Sequence, residues 1–252
     1  KLKFNWQKHT PYKPDFLGVK TLEDFPIETL IEYIDWTPFF KTWQLAGAFP
    51  KILDDEVVGE AARNLFKDAN EMIQLILEKK MLTAKGVFGF FPANSIGDDV
   101  TLYQDDSRKA SLETLRFIRQ QMPKKSGTPN YCLSDFVAPE NSGIPDYIGL
   151  FAVTAGLGIE PYINAFEQEH DSYNSILLKA IADRLVEAFA ECLHQQVRKI
   201  HWGYAPNESL DSTALIREAY QGIRPAPGYP ACPDHTAKPK IFNLLKVTEN
   251  ID

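Results

Sequence analysis

Two stretches of the 252-residue chain place apolar residues at three- and four-residue spacing. Between Asp54 and Lys80, the positions Val58, Ala62, Leu65, Ala69, Met72 and Ile76 form one apolar stripe, the mark of an amphipathic helix. Acidic residues 54–56 stand at its start and Lys79 and Lys80 at its end, as a helix dipole favours. The stronger pattern runs from Tyr173 to about His201, through Ile176, Ala180, Ile181, Leu185, Phe189, Leu193 and Val197.

Shorter apolar runs of strand length are Gly86–Phe91, closed by Pro92, Val100–Tyr103, and Asp146–Thr154, ending at Ala155-Gly156. Residues 109–121 fit either a helix or a strand paired with the run before them. Asp35-Trp36-Thr37-Pro38-Phe39-Phe40 reads as an N-cap, an early helical proline and core aromatics. Further short helices are expected at Pro161–Glu169, at Asp211–Gln221 with Asp211 or Ser212 as cap, and at Lys240–Val247. The opening segment, with three prolines up to and including Pro26, reads as an extended surface arm or linker over 1–25, followed by one domain over 26–252. Strands interleave with long helices without regular βαβ repeats. This predicts a single-domain α+β fold: a mixed, largely antiparallel sheet with long helices packed against it.

Composition narrows the function. A net charge of −7 argues against a broad nucleic-acid surface. No apolar run approaches the roughly 20 residues of a membrane span. Three widely spaced cysteines make no disulfide framework and fit a cytoplasmic, reducing setting. There is no initiator Met and no signal-peptide pattern, so the chain reads as cut from something longer. No phosphate-loop, nucleophile-elbow or His-Glu-x-x-His motif is present. Cys232-x-x-His235 and Cys192-x-His194 with His201 lack the second close pair that a structural zinc site needs.

The loop Gly222-Ile223-Arg224-Pro225-Ala226-Pro227-Gly228-Tyr229-Pro230-Ala231-Cys232-Pro233 excludes helix and central strand alike. Its backbone has little freedom to lose on binding. Arg224 would offer a planar fork to a carboxylate, or would simply close a salt bridge in a rigid turn. Asp35 beside aromatics suits an amine or a sulfonium ligand, or caps a helix. Glu187 is a carboxylate on the strong helix near Arg184 and Glu191, a position that ordinarily forms a solvated face.

The Asp35–Phe40 segment, Phe66-Lys67-Asp68-Ala69, Phe91-Pro92-Ala93-Asn94, Leu115–Gln121, Asp135–Pro139, Trp202–Asn207 and Arg224–Cys232 together resemble the activation domain of cobalamin-dependent methionine synthase. The resemblance covers the chain from about Phe25 onward. It implies an S-adenosylmethionine-binding module that docks over the cobalamin-binding domain of the same protein. There, with an electron from flavodoxin or a related flavoprotein, it restores oxidised cobalamin by methyl transfer. It implies that Arg224 binds the ligand carboxylate, Asp35 its amino end, Ala226 lends backbone contacts, Tyr229 faces cobalamin, and Glu187 belongs to the site. It places zinc only in the homocysteine module, outside this chain, and implies no turnover by this domain alone. The family pattern runs past Asp252 into a Trp-Pro-Gly segment with a further Tyr. The resemblance therefore also implies weak ligand binding, or none, by this chain. A second reading makes it a protein-docking domain that caps cobalamin or recruits the flavoprotein without binding ligand.

Overall fold

The longest strand of the computed structural model, which describes residues 2 and 4–251, is β2 (Thr83–Ile96). Along one flank it pairs with β5 (Asp146–Leu157), from Ala93 opposite Asp146 to Thr83 opposite Leu157. Along the other flank β1 (Gly18–Phe25) covers residues 84–90, and β3 (Asp99–Tyr103) takes over at Ala93. Beyond β3 lies β4 (Ser111–Arg116). Every ladder between these strands is antiparallel. The α+β expectation stands, and among the described residues the sheet has no parallel strand pair.

β2 is apolar on both faces because both faces are covered. Ala84, Phe88 and Phe90 join one core, and Val87, Phe91 and Ala93 join another. The first core is roofed by α1 (Ile27–Leu30), α2 (Trp36–Thr42), α3 (Gly59–Lys79), α4 (Glu160–Gln168) and α5 (Ser172–Gln196). After the short α6 (Ser212–Ile216), the second core takes Leu245 of α7 (Lys238–Leu245) and Val247 and Ile251 of α8 (Val247–Ile251). Fully burying a Leu or Phe side chain contributes about 1.5–3 kcal/mol, and α5 buries Leu177, Leu178, Ile181, Leu185, Phe189 and Leu193. That face is broader than the stripe read from spacing. It excludes Ile176, which is 50% exposed.

Several boundaries differ from expectation for local reasons. The strand expected to stop at Pro92 continues to Ile96. Pro92 falls where β1 has ended and β3 has not begun, so a residue without an N–H is tolerated there. Gly18–Phe25, expected within a surface arm, is an edge strand of the sheet. Residues 111–116 resolve to strand, with Leu115 fully buried. α3 starts at Gly59 because the Asp55 carboxylate accepts from the N–H groups of Val57 and Val58 (2.9 and 3.0 Å) and holds a preceding turn. α6 stops after five residues, where Glu218 takes a left-handed φ of 54°. The expected last helix is two, divided at Lys246 with φ 48°.

Residues of four of the resembling motifs form structural ties. Arg119 forks across Asp98 and Asp135. Asn94 donates to the carbonyls of Ala138 and Ile144 (3.0 and 2.9 Å). Trp202 donates its indole N–H to the carbonyl of Tyr12 (2.8 Å), pinning the N-terminal segment to the end of α5.

Candidate functional site

α5 presents a polar face opposite its apolar one. Glu187, Glu191, His194 and Arg198 follow one another at helical spacing. Asp171 starts this helix, its carboxylate accepting from the N–H of Asn174 (3.0 Å). The helix ends in a π-helical turn, Val197–His201, closed by the Trp202 N–H bonding the Val197 carbonyl (2.8 Å). Such widened turns gather at functional sites. This one carries Arg198, which is fully buried.

Arg198 is saturated. Its Nε and Nη2 bond the two carboxylate oxygens of Glu208 (2.7 and 2.7 Å). Its Nη1 donates to His194 Nδ1 (2.8 Å) and lies 3.9 Å from Glu191 Oε1. Its guanidinium also sits 4.0 Å from the ring centre of Tyr220. Burial, then the charges of Arg198 and Arg224, push the His194 imidazole down to about 3. It is therefore neutral at physiological pH and accepts at Nδ1.

The proline-rich loop meets this face through Arg224. Its turn is closed by Tyr229 N–H to Ala226 carbonyl (3.0 Å) and Gly228 N–H to Cys232 carbonyl (2.8 Å). Two glycines are required. A Cβ on Gly222 (φ +97°) would stand 2.7 Å from the Tyr204 hydroxyl, and one on Gly228 (φ +109°) 2.6 Å from the His235 ring. The loop is anchored by Leu133 N–H to Ala231 carbonyl (3.0 Å) and by Cys232, buried in the second core. Arg224 is thus presented from rigid backbone. Its Nη2 donates to Glu191 Oε2 (2.8 Å), while its buried Nε has no hydrogen-bond partner.

Glu187 lies one turn before Glu191 on α5 and is exposed. Tyr33 hydrogen-bonds Gln195 on the same helix (2.7 Å), and Asp35 follows two residues later. Asp35 caps α2, its Oδ1 accepting from the Thr37 N–H (2.9 Å). Tyr229 stands at the loop tip, 58% exposed. Arg224 and Ala226 also line a cavity of about 570 Å³, walled by Leu193, Trp202, Tyr204 and Pro225. Asp35, Glu187 and Tyr229 are not in its wall. The structure therefore brings Arg224 and the carboxylate face of α5 together directly. It brings the Asp35 segment to that helix through Tyr33.

Sequence reasoning did not single out Arg198 or Glu208, and considered His194 as a metal ligand or a structural histidine near a helix end. The steps of four, three and four from Glu187 to Arg198 were the available signal. His194 and His201 do not converge: His194 meets Tyr220 edge-on, and His201 lies against Phe88 (centroids 4.9 Å apart in each pair). Among the described residues no three His, Cys, Asp or Glu side chains are grouped to hold a metal ion, and no helix is long and apolar enough to cross a membrane.

The family model for vitamin B12 dependent methionine synthase, activation domain, matches residues 26–252. The chain belongs to that family. A crystal structure of the MetH reactivation domain bound to AdoHcy is similar to this chain. It has 56% sequence identity and a TM-score of 0.94, and the match covers 99% of this chain and 76% of the other. As a methionine synthase activation domain, the chain is part of a methyltransferase.

Proposed function

We propose that this domain binds S-adenosylmethionine along the polar face of α5, between the Asp35 cap and Arg224, and serves the reductive reactivation of cobalamin in methionine synthase. Arg224 carries this reading. It is a half-buried guanidinium on a rigid loop, and among the described residues it makes only one hydrogen bond. Such a fork suits a ligand carboxylate. The relative with AdoHcy bound supports a ligand of this class. The second oxygen of Asp35 accepts no hydrogen bond among the described residues, which leaves it for the ligand's ammonium group. Glu187, exposed one turn from Glu191, adds negative charge for the cationic ligand. Ala226 offers backbone contact beside Arg224, and exposed Tyr229 faces the cobalamin.

Cobalamin, held by the neighbouring cobalamin-binding domain, supplies the cobalt that takes the methyl group. This chain's residues bind and aim the donor, so the domain alone turns nothing over. Flavodoxin or a related flavoprotein supplies the electron. Calorimetric titration of the full-length protein with S-adenosylhomocysteine tests the reading. Binding by wild type and a loss of about 30- to 100-fold in Arg224→Ala are expected, the scale of a lost charge-assisted contact. Unchanged binding in Arg224→Ala, with flavodoxin binding reduced, would instead favour a docking domain.

A further inference from the structure

We propose that Glu191 is a positioning residue for Arg224, and that the buried chain Glu208–Arg198–Glu191 fixes the direction in which the ligand's amino-acid end is received. This rests on the reading above that Arg224 takes the ligand carboxylate. Charges alternate along the chain: Glu208, Arg198, Glu191, Arg224. Each link is drawn from a different part of the fold. Glu208 comes from the segment after α5, Arg198 from the π-helical turn, Glu191 from α5 and Arg224 from the proline-rich loop.

Arg198 cannot swing. Its Nε and Nη2 are held by Glu208 at 2.7 Å each, its Nη1 by His194 at 2.8 Å, and its face by the Tyr220 ring. Glu191 therefore has one oxygen, Oε1, fixed 3.9 Å from an immobile cation. Its other oxygen, Oε2, holds Arg224 Nη2 at 2.8 Å. Oε1 has no hydrogen-bond partner of its own. Its hold on Arg198 is thus Coulombic, and so is strong only while Glu191 is charged and buried beside Arg198. An arginine side chain has much rotamer freedom to lose on meeting a ligand. Fixing it beforehand by Nη2 removes part of that loss and leaves the remaining donors for the ligand.

The loop itself does not depend on Glu191. Leu133, Cys232 and the packing of Gly228 on His235 hold it independently. Removing the Glu191 charge should free the guanidinium while leaving the loop in place. The effect should then be confined to ligands that carry the amino-acid group.

The test is calorimetry on the full-length protein with two probes, S-adenosylhomocysteine and 5′-methylthioadenosine. They share the adenosine and the sulfur, and only the first carries the carboxylate and ammonium. Glu191→Gln, isosteric and able to keep one hydrogen bond, should bind S-adenosylhomocysteine about tenfold more weakly than wild type. It should bind 5′-methylthioadenosine within twofold of wild type. Unchanged S-adenosylhomocysteine affinity, or an equal loss for both probes, overturns the proposal. If Glu191→Gln does not fold, Glu208→Gln, two links further along, must show the same selectivity at smaller amplitude, and equal effects on both probes overturn it. A wild-type protein that binds no S-adenosylhomocysteine overturns the proposed function itself. Wild-type binding with an indifferent Glu191→Gln overturns only this inference.

Discussion

Arg198 and Arg224 approach the same carboxylate, Glu191, at different oxygens, and they are treated in opposite ways by the fold. Arg198 is fully enclosed, and every nitrogen of its guanidinium has a partner. Arg224 keeps 23% of its side chain exposed, makes one bond to Glu191, and leaves its Nε without a partner. A buried cation with a complete set of acceptors has nothing left to offer a ligand. A half-buried cation held by one arm has. Under the proposed function, the difference separates the arginine that builds the site from the arginine that uses it.

The sharpest way to break this contrast is to remove each arginine and measure stability. Arg198→Met leaves Glu208, 6% exposed, as an uncompensated buried charge. Breaking such a pair from one side costs about 3–5 kcal/mol. For a domain of this size that is a drop of roughly 6–20 °C in melting temperature by scanning calorimetry. Arg224→Met should cost under about 1 kcal/mol, because its pair is partly solvated and Glu191 keeps Arg198 nearby. Equal losses in the two variants would mean that Arg224 is as structural as Arg198.

A smaller effect tests the burial of His194 beside the two arginines through pH. His194 is neutral in the folded state, its pKa pushed down to about 3 by burial and by the two arginines, against about 6.5 when unfolded. Below pH 6.5 the unfolded chain binds a proton that the folded chain refuses. Stability is therefore lost as pH falls from about 6.5 towards about 3. At pH 4.5 the His194 share of that loss should be about 2–3 kcal/mol. Denaturant unfolding at pH 7 and pH 4.5 should show the His194→Gln protein losing less than wild type by that amount. Parallel losses in the two proteins would show that burial and the two arginines do not hold the imidazole neutral.

How much of this was legible beforehand follows from how local each signal is. α3, α5, β2 and β5 are long and strongly apolar, so their period survives whatever packs against them. β1 was hidden because an edge strand has no uniform alternation: Leu22 is half-buried and Lys20 is exposed. Residues 111–116 were ambiguous because only Leu115 among them is buried. The loop around Arg224 stood out through its prolines. Its partner did not, since spacing along α5 places Glu191 on a polar face without saying which cation arrives there. Glu208 was invisible for the same reason. It meets Arg198 across the turn at Gly203, where φ is +73°, a bend that no helical period continues through.

Asp35 gives the finest test of the line between building a site and using it, because one carboxylate is asked to do both. Its Oδ1 caps α2 through the Thr37 N–H, a contact worth about 1 kcal/mol in comparable positions. Its charge, under the proposed function, receives the ligand's ammonium group, besides the few tenths of a kcal/mol that a negative charge contributes at a helix N-terminus. Asp35→Ala should lower stability by about 1 kcal/mol and weaken S-adenosylhomocysteine binding as well. Asp35→Ser keeps a capping oxygen and discards the charge. Its stability should stay within a few tenths of a kcal/mol of wild type, while its affinity falls with that of Asp35→Ala. If the serine variant recovers both stability and affinity, Asp35 serves the site only by starting the helix, and the ammonium group is received elsewhere on the α5 face.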